Sequence, residues 1–253
     1  MVLLARAAST ITWGEVMSVQ MTPTGPTAEA TIEDARRPSA RLARTAVGLC
    51  LAGAGALIFA GFIATPWEGN STTAAGMRAY LAHPMQGQVA AVLLHFGYLL
   101  LVPAAFALAR LTRRGARRLS NTGLVLSVLG AGLSGLVVTD FFELGMAQHL
   151  PLATAVRVYD ATSGYALGTG LIGRTTALGA IFGLVLLAAA AWRARWVSWL
   201  PAALILVGFV AAFMGTTLLL GGIGAGLMCV GLALLGARIL RASDIEWEDG
   251  RPA

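Results

Sequence analysis

Two carboxylates interrupt an otherwise apolar run at residues 137–145. They belong to Asp140 and Glu143, which are three residues apart and therefore share one face of a helix. An ionisable side chain in or near a membrane span is costly, so its presence there is a reason to expect a function. We therefore treat this pair as the starting point for a functional site.

Further polar side chains occur in the neighbouring apolar runs. On a helical wheel, Gln88, His95 and Tyr98 share one face, and Arg174 begins a later run. In a proton-linked transporter, a carboxylate or histidine would take up a proton on one side and release it on the other. The predicted outward-facing polar site for a substrate or proton comprises Gln88, His95, Tyr98, Asp140, Glu143 and Arg174.

A purely structural interpretation of the same residues stays open. Arg174 could pair with Asp140 or Glu143 at the level of the lipid headgroups, where such pairing is cheap. His95 could then form a hydrogen bond with a neighbouring backbone group or with Tyr98. The two interpretations differ in whether these side chains exist for binding or for packing.

Metal, haem and nucleophilic chemistry find little support in the sequence. Of three histidines, only His95 lies within a predicted helix, so a haem inside the bundle would lack a second histidine ligand. No histidine or acidic residue shows the spacing of a zinc site, and no Ser, Cys or Thr forms a recognisable triad with His and an acid. We predict no cofactor, no metal and no catalytic residue, and the balance is against an enzyme.

The composition places the chain in a lipid bilayer. Hydrophobic residues make up 57% of the 253 positions, charged residues only 12%, and the mean hydropathy is +0.75. Several apolar runs are close to the roughly 20 residues that a helix needs to cross the hydrocarbon. We predict an all-α polytopic transmembrane bundle of about six helices, at residues 45–64, 89–111, 121–142, 171–192, 197–219 and 221–240.

The arginines predict the orientation of this bundle. All 18 basic residues are arginine, and thirteen of them flank the runs on one side, against Arg78, Arg157 and Arg174 on the other. By the positive-inside rule both termini should be cytoplasmic, and the same rule explains the basic charge without nucleic acid. The thirteen are Arg36, Arg37, Arg41, Arg44, Arg110, Arg113, Arg114, Arg117, Arg118, Arg193, Arg195, Arg238 and Arg241.

Three segments are predicted along the chain. Residues 1–42 are expected to be a disordered cytoplasmic tail, with Met1, Met17 and Met21 as alternative starts, residues 43–241 a six-helix transmembrane domain, and residues 242–253 a short acidic cytoplasmic tail that stays solvated. In the outer loops, residues 74–84 and 152–159 are expected to form short helices that cap the bundle.

Small residues at four-residue spacing predict close helix packing. Gly48 begins such a series in the first helix, and Gly222 with Gly226 forms another in the last. These positions let two helix backbones approach closely in lipid, and they belong to no strand-turn-helix context that would bind a dinucleotide.

Two stretches resemble a family. The run His95-Phe96-Gly97-Tyr98-Leu99-Leu100-Leu101-Val102-Pro103, followed by the arginine cluster and by Asp140-Phe141-Phe142-Glu143-Leu144, is similar to uncharacterised multi-pass membrane proteins of actinobacteria. The resemblance implies a bacterial cell membrane, which the use of arginine without lysine also favours. It implies no activity.

Two classes of function therefore stay open. One is a small-solute or proton-linked transporter with the outward-facing site described above, functioning as a homodimer. The other is a structural or accessory membrane subunit that packs against a larger envelope complex through its Gly and Ala faces. The partners expected in either case are the lipid bilayer and a homodimer or larger membrane complex, with no nucleic acid.

Overall fold

The computed structural model describes residues 28–66, 72–137, 139–214 and 217–250. The disorder expected for residues 1–27 and the alternative starts lie outside the described residues. The chain divides into two compact units, Met1–Arg37 and Pro38–Ala253. The first contributes the helical residues 28–37, and the second contains every side chain discussed below. The described residues form helices and short connections, which confirms the predicted all-α class.

The helices follow one another closely along the chain. They are α1 (Ala28–Ala64), α2 (Thr73–Ala82), α3 (Pro84–Gly130), α4 (Leu133–Val137), α5 (Thr139–His149), α6 (Leu152–Ser163), a π-helix (Ala166–Gly173), α7 (Arg174–Arg193), α8 (Leu200–Met214), α9 (Leu218–Arg241) and α10 (Asp244–Asp249). The two short helices expected in the outer loops are α2, which ends just before Pro84, and α6.

Four helical stretches are long and apolar enough to cross a membrane, where the sequence predicted six. They are Ala40–Ala64, Pro84–His149, Ala166–Arg193 and Leu218–Arg241. The second and third predicted helices fall within one stretch, because α3 continues through the arginine-rich segment between them. The fifth is shorter than predicted, since only Leu200–Phe213 is helical and apolar there.

The long helix α3 folds back on itself at Ala116. This residue has φ −148° and ψ 51°, whereas Pro103 lies inside the helix. A straight helix would place residues 95 and 134 about 58 Å apart. Instead, Nδ1 of His95 lies 2.9 Å from the carbonyl oxygen of Ser134. The two arms of α3, before and after Ala116, therefore run side by side.

A buried hydrogen-bonded pair stabilises this fold-back. The hydroxyl oxygens of Thr112 and Ser120 lie 2.7 Å apart, and both side chains are fully buried. Each hydroxyl also bonds a backbone carbonyl of its own arm, Thr112 to Leu108 and Ser120 to Ala116. The two hydroxyls thus satisfy each other, and they bond backbone carbonyls close to the point where the backbone departs from helical geometry.

We expect Ser120→Ala to lower the free energy of unfolding by about 1 to 2 kcal/mol, because it leaves the buried hydroxyl of Thr112 without one of its partners. The measurement is thermal unfolding in detergent, followed by tryptophan fluorescence. The control is Ser198→Ala, since Ser198 is exposed and should be neutral. Equal stability of the two variants would show that the pair contributes nothing to the fold-back.

The third predicted helix, 121–142, is interrupted, so the prediction of one continuous span is wrong. The chain leaves helical hydrogen bonding after Gly130, forms the five-residue helix α4, and begins α5 at Thr139. Glycines at positions 130, 132 and 135 weaken a helix in this stretch, because each costs about 1 kcal/mol relative to alanine. Asp140 consequently lies in the first turn of a separate helix that continues to His149.

The closest contacts through glycine lie at two of the interfaces between helices. A Cβ added to Gly130 on the second arm of α3 would lie 2.2 Å from the backbone nitrogen of Ala180 on α7. A Cβ added to Gly224 on α9 would lie 2.3 Å from the backbone nitrogen of Ala212 on α8. No side chain fits at such distances. The two backbones can therefore approach this closely only because glycine occupies each position.

Two groups of buried side chains result. The larger fills the bundle and includes Leu51, Leu187, Phe209 and Met228, each at most 1% exposed. The smaller joins α2, α5 and α6 through Met77, Tyr80, Leu144, Ala147 and Ala155. The second group makes the outer-loop helices a cap with its own core, as expected for segments that cover the end of a bundle.

The acidic C-terminal segment forms α10 and is docked, whereas the sequence predicted a solvated tail. The hydroxyl of Ser243 accepts a bond from the amide of Glu246 at 3.1 Å, and the Glu246 carboxylate accepts one from the amide of Ser243 at 2.7 Å. Trp247 is only 4% exposed. Burial of this indole explains why the segment does not remain in water.

Ion pairs and hydrogen bonds join α10 to three long helices. Arg44 on α1 lies 3.1 Å from a carboxylate oxygen of Asp244, and Arg238 on α9 lies 2.9 Å from one of Glu246. Arg114 on α3 donates a hydrogen bond to the carbonyl of Asp249. Arginines of α1, of the bend in α3 and of the last turn of α9 are thereby gathered at one end of the bundle.

Candidate functional site

A cavity of about 380 Å³ lies at the end of the bundle away from α10. Thr65 and Leu218 mark this end, about 30 Å along their helices from Arg44 and Arg238. The cavity is mostly apolar, with a few hydroxyls and one carboxylate. Its lining comprises Phe62, Thr65, Pro66, Tyr80, Gly87, Ala90, Leu94, Tyr98, Leu133, Thr139, Asp140, Ala212, Phe213, Thr217, Leu218, Gly221 and Gly222.

Asp140 supplies the carboxylate of this cavity. It lies in the first turn of α5, and its side chain is half-buried. Among the residues that the structure describes, Asp140 forms no ion pair. A carboxylate beside an apolar cavity favours a bound cation or a proton, because either one lowers the cost of removing its charge from water.

Tyr98 faces the same cavity from the first arm of α3. Its side chain is 5% exposed, and it lines the cavity together with Ala90 and Leu94 of the preceding turns. A tyrosine presents an aromatic face and a hydroxyl to the same ligand. Tyr98 and Asp140 are therefore the two predicted site residues that the structure brings together.

The other four predicted site residues do not line the cavity. Gln88 and His95 are half-buried, and His95 is bonded to the backbone of Ser134. Glu143 is half-buried one turn beyond Asp140 on α5, and Arg174 is exposed at the start of α7. The backbone partner for His95 agrees with the structural interpretation, whereas Arg174 forms no ion pair with either carboxylate.

The cap helix α6 lies near both carboxylates. Burial, followed by the negative charges of Glu143, Asp140 and Asp160, raises the pKa of Tyr159 on α6 above its ordinary value. The phenol therefore keeps its proton to higher pH than a free tyrosine does, and it can donate a hydrogen bond. A bond of 2.9 Å from Thr73 to Asp160 connects α2 to α6. This bond holds two helices of the cap together near the carboxylates.

The apolar side of the cavity was not anticipated from the sequence. Phe62 from α1 meets Phe213 from α8 edge to face, with ring centroids 5.7 Å apart, and Phe213 stacks on Phe209 at 4.5 Å. Gly221 and Gly222 of α9 complete this side. The aromatic residues near the ends of two predicted helices were visible in the sequence, but nothing local indicated that they face Asp140.

Comparison with protein-family models, with curated proteins and with solved structures finds no match for the chain. Within the described residues, no three His, Cys, Asp or Glu side chains are grouped so as to hold a metal ion. The chemistry of the cavity therefore has to be argued from Asp140, Tyr98 and the apolar lining alone.

Proposed function

We propose that the chain is a multi-pass protein of a bacterial cell membrane with six crossings and both termini in the cytoplasm. The crossings are Ala40–Ala64, the two parts of Pro84–His149 on either side of Ala116, Ala166–Arg193, Leu200–Phe213 and Leu218–Arg241. The fold-back of α3 supports two crossings there, because both arms lie side by side. At about 1.5 Å per residue, α8 would be the shortest.

The grouping of arginines supports this orientation. Arg44 and Asp244 form an ion pair, so the start of the first crossing and the segment after the last lie at one end of the bundle. Arg110, Arg113, Arg114 and Arg117 lie at that end too, beside Trp247. Positive charge at one end of a bundle favours the cytoplasmic face. The cavity that contains Asp140 would then lie towards the outer face.

We further propose that the protein transports small organic cations in exchange for protons. The observation that supports this is the single carboxylate of Asp140 in a mostly apolar cavity of about 380 Å³. An organic ammonium with an apolar body would pair with Asp140, while its body would contact Phe62, Phe213 and the ring of Tyr98. A cavity of this size suits a small molecule.

Exchange follows from the competition at one carboxylate. Asp140 can hold a proton or an organic cation, but the two compete for the same oxygens. A carrier that returns across the membrane with a proton in place of the cation couples the two movements in opposite directions. The aromatic lining contributes to binding of the cation on either side of the membrane. The carboxylate couples movement of the cation to movement of the proton.

The first test measures binding to the purified protein in detergent. The probe is phenethylamine, a small aromatic ammonium, and 2-phenylethanol is its uncharged counterpart. We expect Asp140→Asn to weaken phenethylamine binding about tenfold or more, because the ammonium loses its ionic partner. Glu143→Gln is the matched control: it removes the same charge one turn away, outside the cavity lining, and should bind nearly as well as the wild type.

The second test measures uptake of phenethylamine by proteoliposomes under an imposed pH gradient. Exchange predicts that an acidic interior drives uptake of the cation into the vesicles, and that Asp140→Asn abolishes this dependence. Binding without uptake would contradict transport. If neither binding nor uptake occurs, the accessory subunit of a larger envelope complex becomes the better proposal, and recovery of partners with the protein is then the decisive measurement.

A further inference from the structure

A second cavity lies at the opposite end of the bundle, between the fold-back of α3 and the C-terminal helix α10. Its volume is about 480 Å³. Four of the nine lining residues are arginines, which sets this cavity apart from the apolar one described above. The lining comprises Arg110, Leu111, Arg113, Arg114, Arg117, Trp247, Glu248, Asp249 and Gly250.

The four arginines are brought together by their spacing and by the fold-back. Arg110, Arg113 and Arg114 occupy positions three and four residues apart, so they share one helix face, and Arg117 follows the break at Ala116. All four side chains are exposed. Like charges at this spacing repel one another. A site that concentrates them around a cavity is stabilised when an anion enters.

The C-terminal segment closes the other side of the cavity. Trp247 is buried there, and Gly250, with φ 62°, turns the chain so closely against Leu111 that an added Cβ would lie 3.3 Å from its carbonyl oxygen. Arg114 already donates to a backbone carbonyl of this segment. The docked helix α10 therefore gives the arginines a fixed enclosure, which an open basic surface would lack.

The charges inside the enclosure are unequal. The four arginines face two carboxylates, Glu248 and Asp249, so the described lining carries a formal excess of two positive charges. Within the part of the chain that the structure describes, neither carboxylate forms an ion pair with these arginines. The ion pairs of α10 are instead formed by Asp244 and Glu246. The excess charge matches a phosphate dianion or a phosphodiester with a further acidic group.

We propose that this cavity binds a phosphate group through Arg110, Arg113, Arg114 and Arg117. Arginine suits this ligand, because its planar guanidinium donates two parallel hydrogen bonds to phosphate oxygens. The phosphate could belong to the headgroup of an anionic lipid, which basic side chains bordering a membrane attract, or to a small soluble molecule. The site lies at the other end of the bundle from Asp140 and is independent of the proposed transport.

The experiment uses the full chain in a neutral detergent and measures its thermal unfolding. Dioleoylphosphatidylglycerol is added in one series and dioleoylphosphatidylcholine in another, and sodium phosphate is compared with sodium chloride at equal ionic strength. A ligand that binds the folded state raises the unfolding temperature. A rise with phosphatidylglycerol alone identifies a lipid headgroup, and a rise with sodium phosphate identifies a soluble ligand. The absence of both overturns the proposal.

Neighbouring arginines supply a matched pair of variants. Arg117 lines the cavity, whereas the adjacent Arg118 is also exposed but does not line it. We expect Arg117→Gln to weaken binding of the active probe about tenfold, and Arg118→Gln to leave it nearly unchanged. Equal weakening in both would show attraction by general positive charge and would overturn the proposal.

Two more variants keep the test decisive if Arg117→Gln folds poorly. Arg113→Gln removes another arginine of the lining and should show the same loss. Replacing the two carboxylates together, Glu248→Gln with Asp249→Asn, should strengthen binding several-fold, since both repel a phosphate group. Weaker binding in this double variant would contradict the proposed arrangement of charges.

Discussion

Gly224→Ala is expected to lower the free energy of unfolding by about 2 to 3 kcal/mol, because the added methyl group overlaps backbone atoms of the neighbouring helix. The added Cβ would lie 2.3 Å from the backbone nitrogen of Ala212 and 2.6 Å from the carbonyl oxygen of Gly208. Both atoms belong to the backbone of α8, so no rotamer change relieves the overlap. The helices α8 and α9 would have to separate.

Gly226→Ala is the matched control, because it makes the same change two residues along the same helix. Its Cβ would meet only the ring of Phe59, at 3.5 Å, which is an ordinary contact. Since alanine favours a helix over glycine by about 1 kcal/mol, this variant should be as stable as the wild type or more stable. Thermal unfolding in detergent compares the two, and similar losses in both would contradict the backbone contact at Gly224.

Gly221→Leu is expected to abolish binding of phenethylamine, with a loss of about 100-fold or more, while the protein still folds. Gly221 lines the cavity of Asp140, and the nearest atoms to an added Cβ belong to Ala212 and Phe62, at 3.8 and 4.0 Å. The new side chain therefore has room at its base and extends into the space that the ligand would occupy.

The control for this variant is Gly221→Ala, which adds one methyl group and should reduce binding only slightly. Calorimetric titration with phenethylamine gives the affinity, and the unfolding temperature shows whether the fold is kept. Retained affinity in a folded Gly221→Leu protein would show that the ligand binds elsewhere. A loss of folding in both variants would instead contradict the free space described at this position.

The long apolar runs were sufficient to predict an all-helical fold, because a segment of that length satisfies its backbone in lipid only as a helix. The break at Ala116 lies between two of the predicted helices, 89–111 and 121–142, and so agrees with the sequence prediction. The break after Gly130 was not predicted, although glycines at positions 130, 132 and 135 weaken a helix there. The buried contact between Thr112 and Ser120 near Ala116 could not be predicted either. Such a contact requires the two arms of α3 to be adjacent already.

The spacing of glycines likewise did not identify which single residue makes the close contact between helices. Spacing in the last helix indicated Gly222 and Gly226 as packing positions, whereas Gly224 makes the closest approach of the glycines in that helix. A four-residue spacing identifies a face of a helix, but the neighbour that this face meets is set by the whole bundle. Gly224 is recognisable only when the path of α8 is known.

For the candidate site, the sequence indicated the polar residues but could not indicate the cavity. Tyr98 and Asp140 were both proposed, and both line it. Arg174 was expected beside the acidic pair, but the π-helix before α7 leaves it exposed. The apolar side, with Phe62 and Phe213, comes from α1 and α8, which are distant in the chain. Only tertiary structure brings these elements to the carboxylate.

The docking of α10 also affects how the protein is made. Asp244, Glu246 and Trp247 follow α1, α3 and α9 in the chain, so the contacts that gather the arginines of these helices form only after the helices have left the ribosome. Until then, α1 and α3 lack this connection. Chains cut before residue 244 should therefore be preferred substrates of proteases in the cell, even though the four stretches long and apolar enough to cross a membrane are complete.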